Sequence, residues 1–344
     1  TRRRRPQSAA PGRRAGVAEA PPPLRTMPLL RTPLAGYSVK FSPFDPSRLA
    51  LASSQNFGII GNGKMSVLME DGMGSGLRVV SEFDTRDGAY DVAWSEASDA
   101  VLAVACGDGS VKLYDVTAPP GAPPLASFTE HAREASCVSW SCARTSSLLS
   151  ASWDGTVRLW DAAAPGPVAV FAGHGYCVYS AAWSPRVPDV FCSASGDCTV
   201  KVWDARTGAR TGPSLSLAAH AHEVLTADWS KYNDHLLATG SVDRTIKLWD
   251  VRNPSREITV LHGHGYAVRR VSFSPHAEAL LLSASYDMTV RLWDAAAPGD
   301  PAARTWTHHT EFAVGCDLSS LVEGRAASAG WDGLVATWPL NGGP

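Results

Sequence analysis

Residues 131–161 read HAREASCVSWSCARTSSLLSASWDGTVRLWD, and His131, Asp154 and Trp160 are the positions in it that decide the fold. The Asp follows the His by 23 residues and the Trp follows the Asp by six. The same offsets return in His174–Asp197–Trp203, His220–Asp243–Trp249, His264–Asp287–Trp293 and His309–Asp332–Trp338. Asp108–Tyr114 keeps the shorter offset, with Thr85 at the His position. In the first repeat Thr32, Phe41 and Gln55 stand where the others carry His, an apolar strand residue and Asp. Residues 56–64 then add a loop before Met65–Met69. Successive Tyr or Trp positions are 43 to 46 residues apart, the spacing of one four-stranded propeller blade per repeat.

Within a repeat, Ser147–Ser152 and Thr156–Trp160 alternate β-branched or apolar residues with small polar ones, the period of half-buried strands. Trp153-Asp154-Gly155 between them reads as a tight hairpin, its Gly suited to positive φ. The expected fold is all-β, a seven-bladed WD40 β-propeller over residues 29–340. Too few residues follow Trp338 for another strand, so residues 29–34 are expected to supply the last blade's outer strand and close the ring. Residues 1–28 are expected to be a disordered extension. Arg2–Arg5, Arg13, Arg14 and Pro21–Pro23 make it basic and Pro-rich, and Met27 reads as a natural start.

A net charge of −2 supplies no global field for nucleic acid or an anionic membrane. No apolar run is long enough for a helical membrane span. The seven cysteines form no C-x-x-C pair and no disulfide framework, which fits a reducing compartment, the cytosol. No metal and no cofactor is expected.

Ser, His and Asp together suggest a hydrolase triad, but an enzyme needs one site and this set recurs once per blade. In WD-repeat families the turn Asp accepts from the His, and a Ser or Thr and the Trp N–H complete a network between strands. The expected sets here are His131, Ser152, Asp154, Trp160; His174, Ser195, Asp197, Trp203; His220, Ser241, Asp243, Trp249; and His264, Ser285, Asp287, Trp293. The expectation is a binding platform, not an enzyme.

A propeller's partner usually sits on the face carrying the loops that enter each inner strand. Positions just after the His and just before the turn Asp should point there. They hold Tyr37, Tyr90, Trp153, Tyr179, Tyr286 and Trp331, with Asp87, Glu134, Glu223, Arg269 and Glu311 among them. Aromatics are favoured anchors at interfaces. An aromatic mouth with carboxylates should take a basic amphipathic segment.

Residues outside the repeat positions say more. Leu30-Arg31-Thr32-Pro33, Gly36–Pro43, the irregular Ala52–Ile59 with Gly61-Asn62-Gly63, Tyr90–Glu96, Lys231-Tyr232-Asn233, Tyr266–Val271, Ser285-Tyr286-Asp287 and His308–Phe312 resemble the peroxin-7 family, the receptors for the type-2 peroxisomal targeting signal. The resemblance runs in order across all seven repeats. It implies a receptor moving between cytosol and peroxisome matrix. Its ligand would be a helical N-terminal signal of the form Arg-Leu-x5-His/Gln-Leu on matrix enzymes. A co-receptor peroxin would help hold the signal and bring it to a docking complex at the peroxisomal membrane. The rival comes from Trp203–Arg206 and Trp249–Arg252, which match the short WDxR box of cullin-4 ubiquitin-ligase substrate receptors.

Overall fold

In the computed structural model the described residues are 1, 27–71, 76–297 and 301–340; the expected basic extension falls almost wholly outside them. The strands form seven four-stranded antiparallel sheets. Blade one runs inward to outward through Ala35–Phe41, Arg48–Ser54, Gly63–Glu70 and Leu77–Thr85. Blades two to six repeat this order, with inner strands Ala89–Trp94, Ala135–Trp140, Val178–Trp183, Val224–Trp229 and Val268–Phe273. Blade seven takes its three inner strands from Ala313–Leu318, Arg325–Gly330 and Leu334–Pro339. Its outer strand is Leu29–Arg31, antiparallel to Leu334–Ala336. The N-terminal segment thus closes the ring, as expected. Pro28 takes part as well, its carbonyl accepting from the Thr337 amide at 3.1 Å.

Alternation explains the core. The three inner strands of each blade bury residues on both faces because every blade is packed between two others, whereas the outer strands bury few. Trp160, Val138 and Leu148 of blade three pack against Phe128 of blade two, while Leu149 and Val157 meet Val178, Phe191 and Trp203 of blade four. Polar stitches join the inner strands. The Asp91 carboxylate accepts the Val138 amide, Asp228 that of Phe273, and Asp317 that of Phe41. The last of these links blade seven to blade one. Arg270, on blade six, spans the central channel to Asp91 of blade two at 2.5 Å and to Ser38 of blade one at 3.1 Å.

The hairpin expected at Asp154-Gly155 is present, with Gly155 at φ +84°. The same left-handed position is filled by Gly109 and Gly333, but also by Cys198, Arg244 and Met288, at φ +66° to +71°. The three side chains carry strain that glycine avoids.

The structural network forms, with one correction. His131 Nδ1 meets Asp154 at 2.8 Å and its Nε2 meets Ser150 Oγ at 2.7 Å, and Trp160 Nε1 donates to that same hydroxyl. The expected partner, Ser152, does not reach either ring. Its hydroxyl donates to the Arg133 carbonyl and accepts from the Asp154 amide, which fixes the turn. Ser150 and Ser152 share a strand face, and the indole, opposite Leu148, reaches only one step along it. The same shift holds in the other blades: Ser193 replaces Ser195, Thr239 replaces Ser241, and Ser283 replaces Ser285. The His–Asp contacts of these blades are 2.8–2.9 Å.

Blade seven departs from this pattern. His309 holds Asp332 and Ser328, but the neighbouring His308 Nε2 also occupies Ser328 Oγ at 2.8 Å. Trp338 Nε1 therefore has no hydrogen-bond partner among the described residues. In blade two, which lacks the His, Lys112 pairs with Asp108 instead.

Candidate peptide-binding mouth

The strand direction that buries Phe41 and Trp94 at one end of the channel puts Tyr37 and Tyr90 at the other. There six blades' worth of side chains meet in a continuous arc. Tyr179 lies edge-on to Trp153 at 6.4 Å, and Trp153 stacks on Tyr90 at 6.1 Å. Tyr90 meets Tyr37 at 5.3 Å and Tyr37 meets Trp331 at 5.7 Å. Trp331 contacts Tyr286 at 6.1 Å and Phe312 at 5.1 Å, and those two stack at 4.7 Å. The six aromatics singled out from sequence are thus all brought together, with Phe312 added. They form an arc rather than a full ring. At blade five the positions hold Leu225, which is buried, and Val242, which is exposed.

These rings are only partly available to a ligand. Tyr90 is buried, and the other six are half-buried because each leans on its neighbour. The mutual packing makes the surface rigid before anything binds, which lowers the entropy cost of binding.

Carboxylates accompany the rings along the arc. Tyr179 Oη donates to Glu223 Oε2 at 3.0 Å, holding that carboxylate at the blade-five end of the arc. Glu134 lies 3.6 Å from Arg133 and is half-buried. Asp87 accepts the Gly88 amide at 2.7 Å. The tyrosines report the local field. Burial, then the Asp87 and Glu134 charges, push the Tyr90 phenol up to about 12. Burial and Glu223 push Tyr179 up as well. Burial also raises Tyr37, with Arg269 opposing it, so Arg269 stands over the same mouth. Glu311 is exposed and precedes in the chain Phe312, which stacks on Tyr286 at the other end of the arc.

Sequence reasoning missed one part of the mouth. The hairpin of blade one is longer than the others and carries a 3-10 turn, Gln55–Gly58, that lies against the arc. Tyr90 Oη donates to the Gly58 carbonyl at 2.6 Å. The inserted length was visible in the sequence; its position over the mouth was not.

The opposite mouth is less suited to a charged partner. A cavity of about 370 Å³ there is lined by Lys40, Asp91, Asp228, Lys231, Arg270 and Asp317 among others. These charges already neutralise one another in pairs: Lys40–Asp317 at 3.0 Å, Lys231–Asp228 at 2.8 Å, and Arg270–Asp91. In the WDxR boxes, Arg206 and Arg252 each fold back on the Asp of their own box at 2.7 Å. Among the described residues no group of three or more His, Cys, Asp or Glu is placed to hold a metal ion. No described helix is long and apolar enough to cross a membrane.

Fold and network together define a seven-bladed WD-repeat β-propeller. The WD domain, G-beta repeat model matches residues 122–161, and the EIPR1 beta-propeller model matches residues 169–293. The WD40 β-propeller domain of Doa1 superposes with a TM-score of 0.75 over 91% of this chain and 95% of that one, at 20% identity. Curated relatives agree with the resemblance carried by the residues between the repeat positions. Peroxisome biogenesis protein 7 of Arabidopsis thaliana is 54% identical over 112 residues, 33% of this chain and 35% of the relative. The peroxisomal targeting signal 2 receptors of Dictyostelium discoideum and Homo sapiens are 48% and 44% identical over 30% and 32% of this chain. The match spans about a third of the length of each of these relatives, 32–35%.

Proposed function

We propose that this chain is a receptor for the type-2 peroxisomal targeting signal and binds that signal as a helix across the aromatic mouth. One observation carries the reading: a pre-packed arc from Tyr179 to Tyr286 with Glu134, Glu223 and Asp87 along its side. In the signal Arg-Leu-x5-His/Gln-Leu, the two polar positions are seven residues apart, about two helical turns, and so are the two leucines. A helix therefore carries a basic stripe beside an apolar one. The apolar stripe lies on the rings and the basic stripe faces the carboxylates. The names borne by the similar proteins support the same ligand class.

The remaining parts of the reading follow from the role. The protein is read as a binding platform rather than an enzyme, since its recurring His, Ser or Thr, and Asp sets are each engaged in a blade's own network. It works with a co-receptor peroxin and a docking complex, and it moves between cytosol and peroxisome. An immobilised Arg-Leu-x5-His-Leu peptide should retain the full chain, with co-receptor present. Glu134→Lys or Glu223→Lys should release it. Failure of the wild-type protein to be retained with co-receptor present would overturn the proposal. Unaltered retention of both variants would remove the carboxylates from it.

A further inference from the structure

The blade-one finger is the other exposed feature at this mouth. In the other blades the corresponding hairpin is a short turn, as at Ser152–Thr156. In blade one it extends from Gln55 to Asn62 and ends in two adjacent isoleucines, Ile59 and Ile60, which are 85% and 70% exposed. An exposed isoleucine pair leaves apolar surface in water with no benefit to the fold.

The finger is nevertheless built to hold its shape. The Gln55 amide donates to the Asn62 carbonyl at 2.9 Å, and Gln55 Oε1 accepts the Asn62 amide. Asn56 Nδ2 donates to the Ile60 carbonyl at 3.2 Å. The base is pressed onto the aromatic arc. A Cβ on Gly58 would come within 2.7 Å of the Tyr90 ring and 2.8 Å of the Tyr37 hydroxyl, at φ +71°. Only glycine fits there. The isoleucines are therefore held out into solvent from a fixed base beside Tyr37 and Tyr90.

Residues 55–63 carry no charged side chain. Asp87 flanks the finger's base, its carbonyl 2.6 Å from where a Cβ on Gly63 would stand, and Glu134 and Glu223 accompany Tyr90 and Tyr179 along the arc. A neutral, apolar tip together with these carboxylates complements the two stripes of an amphipathic basic helix.

We infer that Ile59 and Ile60 form a second apolar wall of the helix site, contacting leucine side chains of the bound targeting signal. The inference rests on the mouth being the signal site. It makes the finger a specificity element: it rewards apolar signal residues, where the carboxylates reward basic ones.

The test uses the full chain, co-receptor and a fluorescein-labelled Arg-Leu-x5-His-Leu peptide, read by anisotropy. Ile59→Ser/Ile60→Ser should weaken binding about tenfold, since two partly covered side chains lose apolar contact. Ile59→Leu/Ile60→Leu should restore it. Both side chains face solvent, so the thermal midpoint should not move. Wild-type affinity in the serine variant would overturn the inference, as would a loss that leucines do not restore. Glu223→Lys separates the two levels. If it abolishes binding while the serine variant keeps wild-type affinity, the finger fails and the mouth stands. If the wild-type protein itself does not bind the peptide, the mouth fails and the finger with it.

Discussion

Replacing Asp91 with alanine should strand the Arg270 guanidinium inside the channel. The two side chains are 2% and 12% exposed, and the pair spans blades two and six at 2.5 Å. Burial disfavours both charges, and each is kept ionised chiefly by the other. Removing one member of such a pair costs about 3–5 kcal/mol. Asp91 also accepts the Val138 amide at 3.1 Å, and orphaning that donor adds about 1 kcal/mol. The Asp91→Ala variant should therefore lose about 4–6 kcal/mol. Arg270→Ala should lose about 3 kcal/mol, because the carboxylate keeps the Val138 amide and the nearby Lys40 charge. The double variant contains neither charge. It should lose about 3–4 kcal/mol, well short of the sum. Urea unfolding, followed by both tryptophan fluorescence and circular dichroism, measures each value and checks that the transitions coincide. If the double variant loses the sum of the single losses, the two groups are independently solvated and the strut across the channel does not exist as described.

Other expectations follow from the blades. Ser150→Ala orphans both His131 and Trp160 and should cost about 2–4 kcal/mol in urea unfolding, against about 1 kcal/mol for Ser152→Ala; the reverse order would put the Ser152 hydroxyl in the network in place of Ser150. Met288→Gly should stabilise the protein by about 0.5–1 kcal/mol because it relieves a left-handed side chain, whereas Gly155→Met should destabilise it by a similar amount; midpoints of thermal unfolding decide both. Burial lowers His308 to about 3. The unfolded chain then binds a proton near pH 6.5 that the folded chain refuses, so this residue's contribution is present above pH 6.5 and is lost as pH falls from there toward 3. His308→Gln should remove up to about 1 kcal/mol per pH unit of that slope, and an unchanged slope from pH 6.5 to 4.5 would contradict it. Asp332, held down to about 2 by His309 against the effect of burial, acts lower still, its contribution being lost as pH falls below about 4.

Much of the fold was legible because a blade repeats its constraints. The Asp-to-Trp spacing reflects one turn plus one strand, and it recurs wherever that geometry does. Closure by residues 29–31 could be deduced because one strand was missing at one end and one was spare at the other. The hydroxyl in the network was misassigned because Ser150 and Ser152 obey the same alternation, and only the reach of the indole separates them. His308 was unreadable for a related reason. It sits next to a histidine that fits the repeat, and its capture of Ser328 depends on a backbone path that periodicity does not encode. At the mouth, residue offsets identified which side chains face it. They did not reveal that the rings support one another in sequence, nor that the arc opens at Leu225 and Val242. The finger was visible only as surplus length, since nothing local to Gln55–Asn62 states that Gly58 rests on Tyr37 and Tyr90.

The proposed role is a location as much as an activity, and a structure of the full chain with co-receptor and an Arg-Leu-x5-His-Leu peptide addresses both. The expected result is a helical peptide lying across Tyr179, Trp153, Tyr90, Tyr37 and Trp331. Its arginine or histidine should lie within hydrogen-bond distance of Glu134 or Glu223, and its leucines against the rings and the Ile59–Ile60 tip. A peptide bound at the opposite mouth, on the outer strands, or in extended form along a blade edge would contradict it.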